Sequence, residues 1–189
     1  MTIINDIDFT YLMQPPNKYT FKQPKLKKWI ESNCEGKVLN LFAGLVELDV
    51  NETRVDIDEN MPADYYMDSY EFVLMAIEQK LLYNTIILDP PYNLRKSREK
   101  YGGRMIGSFT KIKNIITDIV AENGIIITLG YDTVGMGKSR GFKKEAICLV
   151  CHSGDHNDTL CLKEFVMEQQ QYFRRYEFPK DRNSPYCIQ

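Results

Sequence analysis

The chain lacks any run of about 18 apolar residues, which excludes a helical membrane span. Its first residues, Met1-Thr2-Ile3-Ile4-Asn5-Asp6, lack the basic-then-apolar order of a secretory signal, so a cytoplasmic protein is expected. It has no excess of positive charge: 24 Lys and Arg stand against 26 Asp and Glu, for a net charge of −2, so any attraction to nucleic acid must come from a local patch. Repeats and low-complexity segments are absent, which excludes solenoids and long linkers. The hydrophobic fraction of 43% and charged fraction of 26% are those of an ordinary globular protein. Its 189 residues suffice for a single domain with a sizeable core.

The stretch with most chemical content is Thr85-Ile86-Ile87-Leu88-Asp89-Pro90-Pro91-Tyr92-Asn93. The short β-branched run reads as a buried strand. Two prolines end it, since neither can donate to a ladder and each restricts the residue before it. Asp89 and Tyr92 therefore sit at the carboxyl end of a core strand, where open α/β sheets bind ligands. Asp89 and the carbonyl of Pro90 can accept hydrogen bonds from an exocyclic amino group, and Tyr92 offers a flat face for an extruded base.

Asp89-Pro90-Pro91-Tyr92 resembles the catalytic motif of the amino-methyltransferases, which use S-adenosylmethionine to methylate adenine N6 or cytosine N4. The resemblance covers about residues 19–167. It implies an α/β, Rossmann-like class I methyltransferase fold: a mostly parallel seven-stranded sheet with one antiparallel strand and helices on both faces. Lys37–Ala43 reads as the first strand, and Phe42-Ala43-Gly44 resembles the family's cofactor loop Phe-x-Gly-x-Gly, with Val46 in place of the second glycine. Too few residues separate Gly44 from the next strand for a full crossover helix, so a turn or so of helix is expected around Val46-Glu47-Leu48.

Thr53–Asp58 looks like the second strand. It ends in acids suited to the ribose hydroxyls of a nucleoside, Asp56 ahead of Asp58. A third strand spans Asp64–Asp68, and the resemblance makes Asp68 the partner of the cofactor's adenine amino group. It also implies that a segment ahead of the first strand, matched by Tyr19-Thr20-Phe21, reaches over the methionine end of the cofactor. Asp89 would border the cofactor as well.

Around these motifs, residues 1–20 read as an irregular lead-in. Lys25–Cys34 and Ser69–Leu82 read as amphipathic helices, the first capped by Gly36, the second opened by Ser69 with Phe72, Met75, Ala76 and Leu82 as its core stripe. Ile106–Glu122 reads as another helix, ended by Asn123-Gly124 and followed by a buried strand over Ile125–Leu129. Lys143–Val150 and Thr159–Met167 read as an antiparallel pair. Leu94–Arg104 carries Arg95, Lys96, Arg98, Lys100 and Arg104 just past the motif. It is the expected phosphate contact, with Asn93 bordering the pocket and Tyr101 beside a base. Lys138 and Arg140 in the 130–142 loop, and Arg174-Arg175-Tyr176 and Lys180-Asp181-Arg182 in the tail, are further basic groups.

Five cysteines in a chain expected inside the cell suggest thiols or a metal, not a disulfide frame. Cys148, Cys151, His156 and Cys161 have the spacing of a zinc knuckle. Against zinc, Cys148 and Cys151 lie in an apolar run at an odd offset, which puts them on opposite sheet faces, and no metal is expected.

The functional expectation is S-adenosylmethionine-dependent methylation of a base amino group, adenine N6 in DNA ahead of an RNA base. The chain has no room for a separate target-recognition domain, so DNA recognition would use the loops or a partner subunit. A catalytically inactive nucleic-acid-binding subunit and a small-molecule or protein-glutamine methyltransferase are the alternatives. The last usually has Asn in place of Asp89.

Overall fold

The computed structural model describes residues 7–90, 109–154 and 156–167. The strands are β1 (Asp8–Met13), β2 (Val38–Asn40), β3 (Glu52–Asp56), β4 (Tyr65–Tyr66), β5 (Tyr83–Leu88), β6 (Val120–Gly130), β7 (Phe142–Cys151) and β8 (Thr159–Val166). The helices are α1 (Pro24–Ser32), α2 (Ser69–Glu78) and α3 (Phe109–Ile115). The strands form one eight-stranded sheet in the order β1-β7-β8-β6-β5-β2-β3-β4. Only β8 runs against its neighbours, pairing antiparallel with both β6 and β7. The expected α/β architecture is therefore present, with eight strands in place of seven.

The extra strand is β1. Residues 8–13 were expected to be irregular, but they pair in parallel with β7, from Asp8 opposite Ala146 to Met13 opposite Cys151. Phe9, Tyr11 and Met13 stay exposed on this edge, so the buried alternation that betrays a strand is missing.

Two apolar layers sandwich the sheet. On one face, Phe72, Val73 and Ala76 of α2 and Ile112 of α3 pack against Leu39, Val55, Ile86, Leu88 and Ile126. On the other, Leu26 and Ile30 of α1, with Phe21, cover Val38, Ile87, Ile125, Ile127, Cys148 and Cys161. The segment after β2 also lies on this second face, through Leu48 with Val46 and Val50 beside it. It contains no helical turn. Its apolar residues recur every second position, the period of extended chain, so the turn of helix expected at Val46-Glu47-Leu48 does not form.

Several boundaries differ from the sequence reading. Asp68, not Ser69, caps α2: its Oδ1 accepts from the N–H groups of Tyr70 and Glu71. The helix stops at Glu78, Lys80 takes a positive φ of 55°, and Leu82 is exposed rather than part of the stripe. Asn33 is the C-cap of α1, and Gly36 serves the later turn, at φ 57° against the Asn84 side chain. α3 passes into a 3-10 turn over Ile116–Ile119 and then directly into β6. Asn123, at φ 57°, is an irregularity inside that strand and not a helix end: the pairing with β5 shifts from Tyr83–Val120 to Thr85–Ile125 around it. Among the described residues, no helix is long and apolar enough to cross a membrane.

Candidate active site

Because β2, β3, β4, β5 and β6 are parallel, their carboxyl ends share one edge. That edge carries Phe42-Ala43-Gly44 after β2, Asp56 at the end of β3, Asp68 after β4, Asp89-Pro90 after β5 and Tyr131 after β6. The candidate residues from separate parts of the sequence thus stand in one row. Pro91, Tyr92, Asn93, Arg95, Lys96, Arg98, Lys100, Tyr101 and Arg104 lie outside the described residues, as do the basic groups of the tail.

The loop after β2 is held from below. Gly44 adopts φ 60°, a conformation that favours glycine, and a Cβ there would meet nothing within 4 Å. Its N–H donates to Asp56 Oδ2 at 2.8 Å, and Asp56 Oδ1 accepts from the Asp58 N–H at 2.9 Å. Asp56 is buried, so both its oxygens already organise backbone. Asp58 is more open. Hydrogen bonds from the backbone N–H and then the side chain of Asn60 hold its carboxyl below the usual range.

Beneath the loop lies a charged network that sequence reasoning did not single out. Glu52, Arg54 and Asp56 alternate along β3, which puts them on the second face. The Arg54 guanidinium donates to the carbonyl of Gly44 at 2.9 Å, the carbonyl of Pro62 at 2.6 Å and Glu52 Oε1 at 2.7 Å. Glu52 also accepts from the Leu48 N–H at 2.9 Å and from Asn40 Nδ2 at 3.2 Å. The network fills the ground beside β2 and β3 that a crossover helix would cover. The available signal was charge at every second position of a strand whose partner strand is buried.

Phe42 turns to the first face and meets Phe109, at the start of α3, edge to face with centroids 6.4 Å apart. Asp89 is half-buried and Pro90 buried. Burial pushes the Cys161 thiol well above its ordinary value, with contributions from Cys148 and then from the charge of Asp89. Tyr19 stands just before the 3-10 turn Thr20–Lys22, whose Phe21 is buried in the second core.

The cysteine–histidine residues do not converge. Cys148 and Cys161 oppose each other across β7 and β8 inside the core. His156 is exposed on the connecting turn. His152 is buried, with Nδ1 at 3.1 Å from the Gln14 carbonyl and Nε2 at 2.9 Å from Thr159 Oγ1, so it ties together the ends of β1, β7 and β8. Among the described residues, no three His, Cys, Asp or Glu side chains could hold a metal ion.

Lys138 and Arg140 lie just before Phe142, which pairs with Val166 at the amino end of the parallel strands. That is the edge opposite Asp89, and Arg140 is bound to Asn114 Oδ1 and the Met136 carbonyl.

Solved structures resemble this chain in fold. A candidate S-adenosylmethionine-dependent methyltransferase from Streptococcus mutans matches at 16% identity and a TM-score of 0.53, over 75% of this chain and 48% of that one. SMU.776, a candidate methyltransferase complexed with SAH, matches with the same identity, TM-score and coverage. The chain spans about half the length of these structures. No protein-family model and no curated protein sequence matches it. At this identity the likeness establishes the architecture: the fold is the Rossmann-like class I methyltransferase fold, with one additional edge strand.

Proposed function

We propose that the chain is an S-adenosylmethionine-dependent methyltransferase acting on the exocyclic amino group of a nucleic-acid base, adenine N6 in DNA. The observation that carries this reading is the position of Asp89-Pro90 at the carboxyl end of β5, on the edge that also bears the Gly44 loop, Asp56 and Asp68. The space open above Gly44 suits a ligand lying against the loop backbone.

S-adenosylmethionine would supply an electrophilic methyl group on a sulfonium. Phe42, Ala43 and Gly44 would line its methionyl and ribose parts, with Tyr19 over the methionine end. Asp68 Oδ1 is occupied as a helix cap, which leaves its second oxygen for the adenine amino group. Asp56 shapes the loop through both oxygens, and its further lone pairs are the ones to meet the ribose hydroxyls. Asp89 and the Pro90 carbonyl would accept hydrogen bonds from the two N–H groups of the target amine and present its lone pair to the methyl donor. Pro91 would stiffen the turn, Tyr92 would stack on the flipped base, and Asp89 or water would take the amine proton. Alignment of this kind lowers a barrier by roughly 7–11 kcal/mol in the best cases.

The test is labelled methyl transfer to DNA and RNA pools, followed by nucleoside mass analysis. N6-methyladenine from DNA is expected, and label in RNA alone would move the substrate to RNA. Asp89→Ala and Tyr92→Ala are expected to abolish transfer in folded protein, and retained transfer in both would overturn the site. The commitment of both Asp56 oxygens to backbone favours one competing reading, a catalytically inactive nucleic-acid-binding subunit. Calorimetric titration with S-adenosylmethionine separates the two, since only the enzyme must bind it.

A further inference from the structure

Between Asp8 and Glu31 the chain has no acid, yet it carries Lys18, Lys22, Lys25, Lys27 and Lys28. The structure shows where this imbalance stands. β1 ends beside β7, with the Gln14 N–H donating to the Cys151 carbonyl at 3.1 Å. Gln14 then bonds Gln23 at 3.1 Å through its side-chain amide and the Lys25 N–H at 3.2 Å through Oε1. Residues 15–22 are thus an excursion between two neighbouring anchors, both at the carboxyl edge of the sheet. That is the edge of Asp89. Four strand spacings of about 4.8 Å separate β1 from β5, so the lobe is anchored within roughly 19 Å of the motif.

The charges on the lobe are available. Lys18, Lys22, Lys25 and Lys28 are exposed. Lys27 pairs with Glu31 at 3.5 Å, whereas those four have no acidic partner among the described residues. Lys18 and Lys22 flank the Tyr19 ring, their Nζ atoms 5.3 and 5.2 Å from its centroid. α1 begins with lysines and has no acid in its first turn, against the usual preference for negative charge where the helix dipole is positive. A protein of net charge −2 gathers cations here at an electrostatic cost that a bound polyanion would offset.

We propose that this lobe, residues 15–28, is a contact surface for the sugar-phosphate backbone of the nucleic acid whose base enters the Asp89 site. The inference rests on the nucleic-acid reading of that site and extends it. Lys18 and Lys22 hold one or two phosphates flanking the target nucleotide, with Lys25 and Lys28 extending the track along α1. The lobe supplies affinity and register, and the base is read elsewhere.

The experiment compares Lys18→Gln/Lys22→Gln with Lys37→Gln/Lys138→Gln, an equal charge change at the opposite edge of the sheet. Binding of a 20-base-pair DNA duplex and of an RNA stem-loop is measured against salt concentration, with urea unfolding as a control for the fold. The lobe variant is expected to bind about tenfold more weakly in 0.1 M salt, with the log–log salt slope reduced by about 1–2. The urea-unfolding midpoint stays unchanged, and the opposite-edge variant behaves as wild type. Loss confined to one nucleic acid identifies it as the substrate. Equal effects of both variants, an unchanged slope in the lobe variant, or no nucleic-acid binding by the wild-type protein would each overturn the proposal. Binding does not need methyl transfer, so an inactive wild-type protein would sink the enzyme reading and leave this measurement decisive for the lobe.

Discussion

Two of the crossovers without an α-helix, β2–β3 and β6–β7, are held by the same device: a buried carboxylate that accepts backbone N–H groups. Between β2 and β3, Glu52 takes the N–H group of Leu48 and Asp56 that of Gly44. Between β6 and β7, the fully buried Glu164 takes those of Met136 at 2.6 Å and Gly137 at 3.1 Å, with Lys144 at 3.6 Å. The surroundings differ. A Cβ on Gly135 would run into the Glu164 carboxylate, whereas one on Gly44 would meet nothing within 4 Å. The β6–β7 crossover is packed into the core at Gly135 and Met136. The β2–β3 loop is supported from below and left open above, at the edge that carries Asp89.

The largest effect should come from breaking the support of the open loop. Arg54→Ala leaves Glu52 buried without its cation, and the loss of such a partner costs about 3–5 kcal/mol. Urea unfolding should show it as a large fall in midpoint. If stability hardly changes, the β2–β3 loop does not depend on the charged network.

The two glycines give the sharper contrast. Gly135→Ala forces a methyl group against a buried carboxylate, and overpacking of that kind costs about 1–3 kcal/mol. Gly44→Ala meets no obstruction and carries only the penalty of a left-handed backbone, about 1–2 kcal/mol. Its larger consequence should be functional: S-adenosylmethionine affinity, followed by calorimetry, should fall for Gly44→Ala and stay near wild type for Gly135→Ala. Equal affinities in both variants would mean that nothing binds against the Gly44 backbone.

The same contrast explains what was legible in the sequence. The strand leading to Asp89 was clear because an apolar run ends at two prolines, a local signal with one physical meaning. The row of edge positions at Gly44, Asp56 and Asp68 was legible because short strands place their ends together. β1 was not, since its outward residues Phe9, Tyr11 and Met13 stay exposed and leave no burial pattern. The charged network was missed because Glu52, Arg54 and Asp56, taken singly, look like surface residues. Their burial depends on the loops on either side of β3 folding over them, through Gly44, Leu48 and Pro62. Asn123-Gly124 misled because a positive φ can serve a strand irregularity as well as a helix end.

The smallest predicted effect reads the network's charge from outside it. Cys34, after α1, is pushed up to about 12, first by burial and then by the charges of Glu52 and Glu31. An unfolded thiol titrates near 8.5, so the native state holds the proton over the interval between. Stability contributed by the protonated thiol is intact below the unfolded value and is lost as pH rises toward about 12. Cys34→Ala should therefore flatten the fall in stability above pH 9. Glu52→Gln should make Cys34 somewhat more reactive toward iodoacetamide at pH 9, scored by peptide mapping, because one of the two carboxylates opposing the thiolate is gone. The gain should be modest, since burial is the leading cause. A large gain would mean that the loop over Glu52 had opened, so urea unfolding of the same variant must accompany the measurement. No gain at all, with the fold intact, would put Glu52's charge too far from Cys34 for the compact arrangement described between α1, β2 and β3.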